Sequence, residues 1–277
     1  MNQADFDHLA DLLTRRCGHA LPADKTHLVA SRLAPVARRY GFNKTDQLLA
    51  ELRHAPEELA HAVTEAMMTN ESSFFRDKAV FDHFRGVILP SLLSARANSR
   101  RLRIWCAAAS TGQEPYSLAM ILDEAKIAPD WHIELLATDL CSDTIARAVE
   151  GRYSPFEAQR GLGVQTLVRY FAQDGDRWRI CERLRRMVSF RTFNLLDSFG
   201  WLGEMDVIFC RNALLYFEPH AKRACLEKLS GTLANDGYLL LGASETMEGT
   251  STAFVPCDDV RGIYRKARTG RPLALVG

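Results

Sequence analysis

Arg101-Leu-Arg-Ile-Trp-Cys-Ala-Ala-Ala-Ser-Thr-Gly-Gln-Glu-Pro-Tyr-Ser-Leu-Ala-Met-Ile-Leu122 is the stretch whose reading decides the fold. Leu102, Ile104, Trp105 and Cys106 form an apolar run that reads as a buried strand. Ala107 to Gly112 are small residues, which let the backbone turn sharply and approach a ligand closely. A helix follows, with Pro115 suited to its first position because the missing N–H costs nothing there. Strand, small-residue loop and helix N-terminus together open a nucleotide-type α/β domain.

This loop has neither G-x-G-x-x-G nor Gly-Lys-Ser/Thr, so it reads as holding no pyrophosphate. A nucleoside with a cationic tail fits it better, because Glu114 can face such a tail. The residue before a proline is biased to extended geometry, which would turn Glu114 toward the pocket. Thr111-Gly112-Gln113-Glu114 also matches a helix capping box. Both readings stand at this point.

Working outward, Ile133 to Asp139 reads as a second strand ending in an acid. A carboxylate there can accept both ribose hydroxyls; as an alternative, Asp139 could cap a helix over Asp143 to Glu150. Strand, position and residue type agree on the ligand. Val188 to Phe193 and Met205 to Cys210 read as third and fourth strands, and Tyr238 to Leu241, after an Asp236-Gly237 turn, as a fifth. A helix is expected over Pro219 to Leu233, and Phe254–Cys257 with Gly262–Arg265 as a closing hairpin. Residues 152 to 188 interrupt the alternation with a hairpin-type Asp174-Gly175 turn and read as a small antiparallel insert. The strand C-terminal ends carry Ala107–Thr111, Asp139, Asn194 and Arg211-Asn212, and these should converge on one site.

Residues 1 to 68 read as all helix. Phe6, Leu9, Leu13 and Cys17 share one face, and Val29, Leu33, Val36 and Tyr40 another. Pro35 should kink the second helix or begin a new one, and Gly41 should end it. Arg32, Arg38 and Arg39 leave a basic cluster there, either a solvated face or a docking surface for an acidic helix. Met68 to Arg76 breaks the pattern as an inter-domain segment, followed by a helix over Ala79 to Leu93. The organisation expected is therefore a helical domain 1–68, an inter-domain segment and helix 69–100, an α/β domain 101–268, and a tail or linker 269–277.

The 277 residues are 47% hydrophobic and 25% charged, ordinary for a globular chain, and a net charge of +1 gives no footprint for nucleic acid. Seven scattered cysteines without a C-x-x-C point to reduced thiols and no zinc site. The acidic N-terminus lacks the basic and apolar regions of a signal peptide, and no apolar run is long enough for membrane insertion. These features point to a cytoplasmic protein.

Thr69-Asn70-Glu71-Ser72-Ser73-Phe74-Phe75-Arg76, the Trp105 to Ser117 block, Ala137-Thr138-Asp139, Asn194-Leu195-Leu196 and Cys210-Arg211-Asn212 with Tyr216-Phe217 resemble the chemotaxis-receptor methyltransferases, the CheR family. The resemblance covers about residues 60 to 266. It implies a Rossmann-like class I S-adenosylmethionine-dependent methyltransferase domain with a small antiparallel β subdomain, preceded by an all-helical domain. The implied reaction is methyl transfer to glutamate carboxylates on cytoplasmic helices of chemoreceptors, giving glutamyl methyl esters and S-adenosylhomocysteine, with no metal. By motif position the resemblance implies that Asn70, Ser72 and Arg76 line the cofactor pocket. Glu114 would hold the amino group, Asp139 the ribose, Asn194 and Leu195 the adenine, and Arg211 and Asn212 the methionine portion. Arg76 and Tyr216 are the candidates for orienting the incoming carboxylate.

Two departures from the family stand out. The basic run of the second helix is broken at Pro35-Val36, and the Gln173-Asp174-Gly175-Asp176 loop is short. Family members that bind a receptor C-terminal pentapeptide have a longer loop there, so no such tether is expected. Other classes fit less well. A non-catalytic S-adenosylmethionine-binding signalling module sits poorly with intact Arg76, Glu114, Asp139 and Tyr216. An amino-directed nucleic-acid methyltransferase usually places an acidic or Asn residue with Pro-Pro-Tyr/Phe where this chain has Cys-Arg-Asn. An NAD-dependent oxidoreductase lacks its glycines.

Overall fold

Five parallel strands form the centre of the protein. They come from the near-continuous apolar runs that a sheet covered on both faces requires. The computed structural model describes residues 1–247, 249–257 and 260–267; the tail expected over 269–277 lies outside them. The chain begins with helices α1 (Gln3–Cys17), α2 (Thr26–Arg39), α3 (Thr45–Glu51) and α4 (Glu57–Met67), which enclose their own core of Phe6, Leu9, Leu13, Val29, Leu33, Leu48 and Val63. α2 runs through Pro35 as one helix, because Leu33, Val36 and Ala37 on its inner face are anchored in that core.

After the inter-domain segment come α5 (Lys78–His83), a π-helical turn (Phe84–Ile88) and α6 (Leu89–Ala95). The single helix expected over 79–93 is thus locally widened just before Pro90, which has no N–H for the regular ladder. The α/β domain continues with β1 (Arg101–Ala107), α7 (Gln113–Glu124), β2 (His132–Asp139) and α8 (Ser142–Glu150). The insert holds β3 (Arg152–Tyr153), α9 (Pro155–Gln159), α10 (Val164–Tyr170), β4 (Phe171–Asp174), β5 (Arg177–Ile180) and α11 (Glu182–Met187). Last come β6 (Val188–Thr192), β7 (Met205–Phe209), α12 (Pro219–Thr232), β8 (Leu233–Leu240), β9 (Phe254–Pro256) and β10 (Ile263–Lys266).

The main sheet has the order β6-β2-β1-β7-β8-β10-β9. β6 through β8 pair in parallel, and β10 and β9 close the edge antiparallel. The chain winds from β1 outward to β6, then returns to β7 beside β1. That reversal puts a crevice at the carboxyl ends of β1 and β7, where open α/β sheets bind ligands. The insert forms a separate antiparallel sheet, β3-β5-β4, and packs on the inter-domain segment. Phe74 meets Tyr153 and Phe171 edge-on, with centroids 5.1 and 5.5 Å away.

β8 starts earlier than the expected Tyr238. Met205 pairs with Leu233 but Val207 with Tyr238, so Ala234 to Gly237 stand opposite Asp206 as a bulge within the ladder instead of a turn before it. Gly237 allows this, since a Cβ there would lie 2.8 Å from the Asp206 carbonyl oxygen. Arg96 grips the bulge. Its guanidinium donates to Asp206 at 2.8 Å and to both oxygens of Asp236 at 2.8 and 2.6 Å, while Asp206 also accepts from the Arg103 N–H. No disulfide joins the described cysteines. Among the described residues no helix is long and apolar enough to cross a membrane, and no cluster of side chains could hold a metal.

Replacing Arg96 with Ala strips the nearly buried Asp206 of its cation. Stability should fall by about 1–3 kcal/mol, seen as a lower urea midpoint with an unchanged slope.

Candidate active site

The crevice at the β1–β7 switch is a cleft of about 880 Å³, counting its open mouth. Its floor is the strand-end loops, and its roof is Met68 to Arg76 with Cys17 and His19 of the helical domain. Five of the seven described non-glycine residues with positive φ stand on or beside it: Phe75 (48°), Asp77 (59°), Ala108 (73°), Ser110 (50°) and Asn212 (58°). Such strain persists only where the surroundings over-determine the backbone, and it concentrates at functional sites.

Glu114 enters from the first turn of α7. The helix starts at Gln113 with Gly112 (φ 94°) as N-cap and no side-chain cap bond. The capping-box reading therefore fails, since Thr111 donates its hydroxyl to Gln113 instead. Pro115 stands third in the helix, where its missing N–H is still an orphan position. Glu114 is helical and not extended, yet it reaches the cleft, beside the partial positive charge of the helix end.

Arg211 meets Glu114 from the end of β7. Its guanidinium donates to Glu114 at 2.8 Å, to Asp77 at 2.5 Å and to the Arg76 carbonyl at 2.8 Å, and it lies 5.4 Å over the Phe81 ring. The side chain is 2% exposed, and Nε has no partner. Burial pushes the Glu114 carboxyl up, and Arg211 pulls the other way. The second oxygen of Glu114 makes no hydrogen bond within the described residues and is left for the cleft.

Asp139, at the end of β2, accepts from the N–H groups of Ser110 at 2.8 Å and Cys141 at 3.1 Å. It is not the cap of α8, whose N-cap is Cys141. Burial raises its carboxyl, and those N–H groups oppose the rise. Asn70, Ser72, Asn212 and Tyr216 line the cleft with side chains that make no hydrogen bond to described residues, and Arg76 donates only to the Glu71 carbonyl. The Ser110 hydroxyl is buried without a partner. The donor set thus offers a carboxylate for an ammonium, a second for a diol, and a guanidinium with free amides for a carboxylate. These fit the groups of an aminoacyl-type nucleoside.

Two expected site residues go elsewhere. The Asn194 side chain points to the helical domain, donating to the Arg16 carbonyl at 2.6 Å and accepting from the Leu196 N–H. It lines the neighbouring cavity, while Leu195 stays in the cleft. Arg32 donates to the Met67 carbonyl and, at 2.8 Å, to the Thr69 hydroxyl. It therefore ties down the inter-domain segment, leaving Arg38 and Arg39 exposed on α2.

Several site residues carry no sequence signal. Glu245 is buried and accepts from the N–H groups of Asn212, Gly242 and Leu215 at 2.7, 2.7 and 3.1 Å, holding the strained loop. Lys228 of α12 points its ammonium at three successive carbonyls, Leu195, Leu196 and Asp197, at 2.6, 2.8 and 2.9 Å. His19 lines the cleft, its ring 5.6 Å from that of Tyr216 and 5.3 Å from that of Phe217. Burial, with Arg32 nearby, pushes the His19 imidazole down to about 4.

Fold and site together define an α/β nucleoside-binding domain roofed by a helical domain. Residues 70–262 match the model of the CheR methyltransferase SAM-binding domain, and residues 4–66 that of the CheR all-alpha domain. The chain belongs to the CheR methyltransferase family. It is 37% identical to chemotaxis protein methyltransferase 1 of Pseudomonas aeruginosa over 96% of this chain and 98% of that one. It is likewise 37% identical to a chemotaxis protein methyltransferase of Pseudomonas putida (95% and 98%), and 35% identical to one of Vibrio parahaemolyticus (92% and 93%). The solved magnesium protoporphyrin IX methyltransferase of Synechocystis with bound S-adenosylhomocysteine covers 75% of this chain and 70% of that one. The two share 14% identity and a TM-score of 0.34. The cofactor is S-adenosylmethionine.

Lys228→Met frees three carbonyls and loosens the Leu195 wall, so S-adenosylhomocysteine should bind about tenfold more weakly in titration calorimetry. A second expectation concerns His19, whose folded-state value lies below the usual 6.5. The unfolded chain binds more protons there between pH 6.5 and 4, so the fold loses stability as pH falls through that window. The loss relative to His19→Gln should reach about 3 kcal/mol, measured by urea unfolding across that range.

Proposed function

We propose that this chain transfers the methyl group of S-adenosylmethionine to glutamate side-chain carboxylates on cytoplasmic helices of chemoreceptors. The products are glutamyl methyl esters and S-adenosylhomocysteine. The observation that carries this reading is the end-to-end match to chemotaxis protein methyltransferases, together with a cleft holding Arg76, Glu114, Asp139 and Tyr216. In this reading Glu114 takes the ammonium, Asp139 the ribose hydroxyls, and Asn70, Ser72, Asn212 and Arg211 shape the amino-acid end. Leu195 flanks the adenine, and Asn194 acts one step back by holding the loop.

When bound, S-adenosylmethionine supplies a methyl already activated on a sulfonium. A glutamate carboxylate is already ionised near neutral pH. The protein therefore needs no strong base, and its contribution is alignment and exclusion of water. Arg76 offers a planar two-pronged donor and Tyr216 a hydroxyl, both of which can orient the carboxylate. Recognition is proposed to proceed without a receptor pentapeptide, because Gly175-Asp176 is all that joins β4 to β5. Arg38 and Arg39 remain for an acidic helix.

The test is transfer of labelled methyl from S-adenosylmethionine to a chemoreceptor cytoplasmic fragment, followed by mild alkali. Label should enter the receptor and leave as methanol. Tyr216→Phe should lower kcat/KM about tenfold and Arg76→Ala about a hundredfold. Label that resists alkali, or that enters no receptor, would overturn the reading.

A further inference from the structure

His19 is the one imidazole lining the cleft among the described residues, and neither of its ring nitrogens has a hydrogen-bond partner among them. Its main chain is fixed independently of its side chain. His19 and Phe217 form an isolated antiparallel bridge. The Ala20 N–H donates to the Tyr216 carbonyl at 2.8 Å, and the Glu218 N–H to the Gly18 carbonyl at 2.7 Å. The turn after α1 is thereby docked on the segment that presents Tyr216, and the ring sits against Tyr216 and Phe217. The ring is only partly buried, and without a protein partner its nitrogens are open to a ligand in the cleft.

Resting on the proposed function, we infer that His19 is a third substrate-contacting residue, whose neutral imidazole donates an N–H to the acceptor carboxylate beside Tyr216 and Arg76. Burial keeps the ring uncharged near neutral pH, so it has one donor and one acceptor nitrogen. A neutral donor orients a carboxylate while drawing off less of its charge than a second cation would. In the transfer, the carboxylate oxygen forms its bond to the methyl carbon as the carbon–sulfur bond breaks, with the electron pair left on sulfur. No proton moves, and His19 is neutral before and after.

The test compares His19→Phe, which keeps the aromatic shape, with His19→Gln, which keeps a donor. The bridge to Phe217 is a main-chain feature and survives both. Receptor methylation and S-adenosylhomocysteine binding are measured in each. We expect His19→Phe to lower kcat/KM for the receptor about tenfold and His19→Gln to recover most of it. Cofactor affinity should stay within about twofold in both, which also reports that they fold. A fully active His19→Phe, a Gln variant as poor as Phe, or a parallel loss of cofactor affinity would each overturn the assignment. A wild-type protein that labels no receptor would overturn the functional reading and this one together; wild-type labelling with an unaffected Phe variant overturns this one alone.

Discussion

The contact between Arg211 and Glu114 is the constraint on which the rest of the site depends. Both residues are buried, and neither charge would persist there alone. Arg211 is fixed at the end of β7 and Glu114 in the first turn of α7, so their pairing sets the spacing across the β1–β7 crevice. The same guanidinium holds Asp77 and the Arg76 carbonyl, which drags the inter-domain segment to the crevice mouth. That accounts for the positive φ of Phe75 and Asp77: the chain must turn sharply there to bring Asp77 within reach while Phe74 stays in the core.

The helical domain has its own hydrophobic core, and both apolar and polar contacts tie it to the α/β domain, Leu140 packing on that core. Arg16 gives its carbonyl to Asn194 and Glu65 accepts from the N–H and hydroxyl of Ser142, while Arg32 ties the end of α4 at Met67 to Thr69 of the inter-domain segment. The cleft is therefore a joint product of two cores, and the helical domain supplies part of its lining through Cys17 and His19.

What was legible in the sequence follows from what is local. Parallel strands read as continuous apolar runs, so the ends of β1, β2 and β7, and with them Glu114, Asp139, Arg211 and Asn212, could be placed by position alone. The bulge in β8 was not legible because it answers to a neighbour distant in sequence, Arg96 on Asp236, whereas the π turn answers to Pro90, a local signal that the single-helix reading passed over. Asn194 and Arg32 were misread for the same reason: their partners are backbone carbonyls and a hydroxyl of remote segments, which no motif announces. His19, Lys228 and Glu245 are ordinary polar residues in sequence, and only the fold shows that their heads reach the loops around the cleft.

A site that buries two carboxylates and a guanidinium, strains five backbone positions and places Phe193, Phe217 and Tyr216 around the opening is costly to fold. Under the proposed chemistry those same features have a use. Transfer of methyl from a sulfonium to a carboxylate removes one positive and one negative charge. Water stabilises the separated charges of the reactants more than the dispersed charge of the transition state. Substrate and cofactor that displace water from between these aromatic walls lose that stabilisation, while Glu114 and Arg211, held by their own ion pair, need no rearrangement as the charges vanish. The internal pairing of the site thus lets the displacement of water by substrate and cofactor favour a reaction that ends without charge.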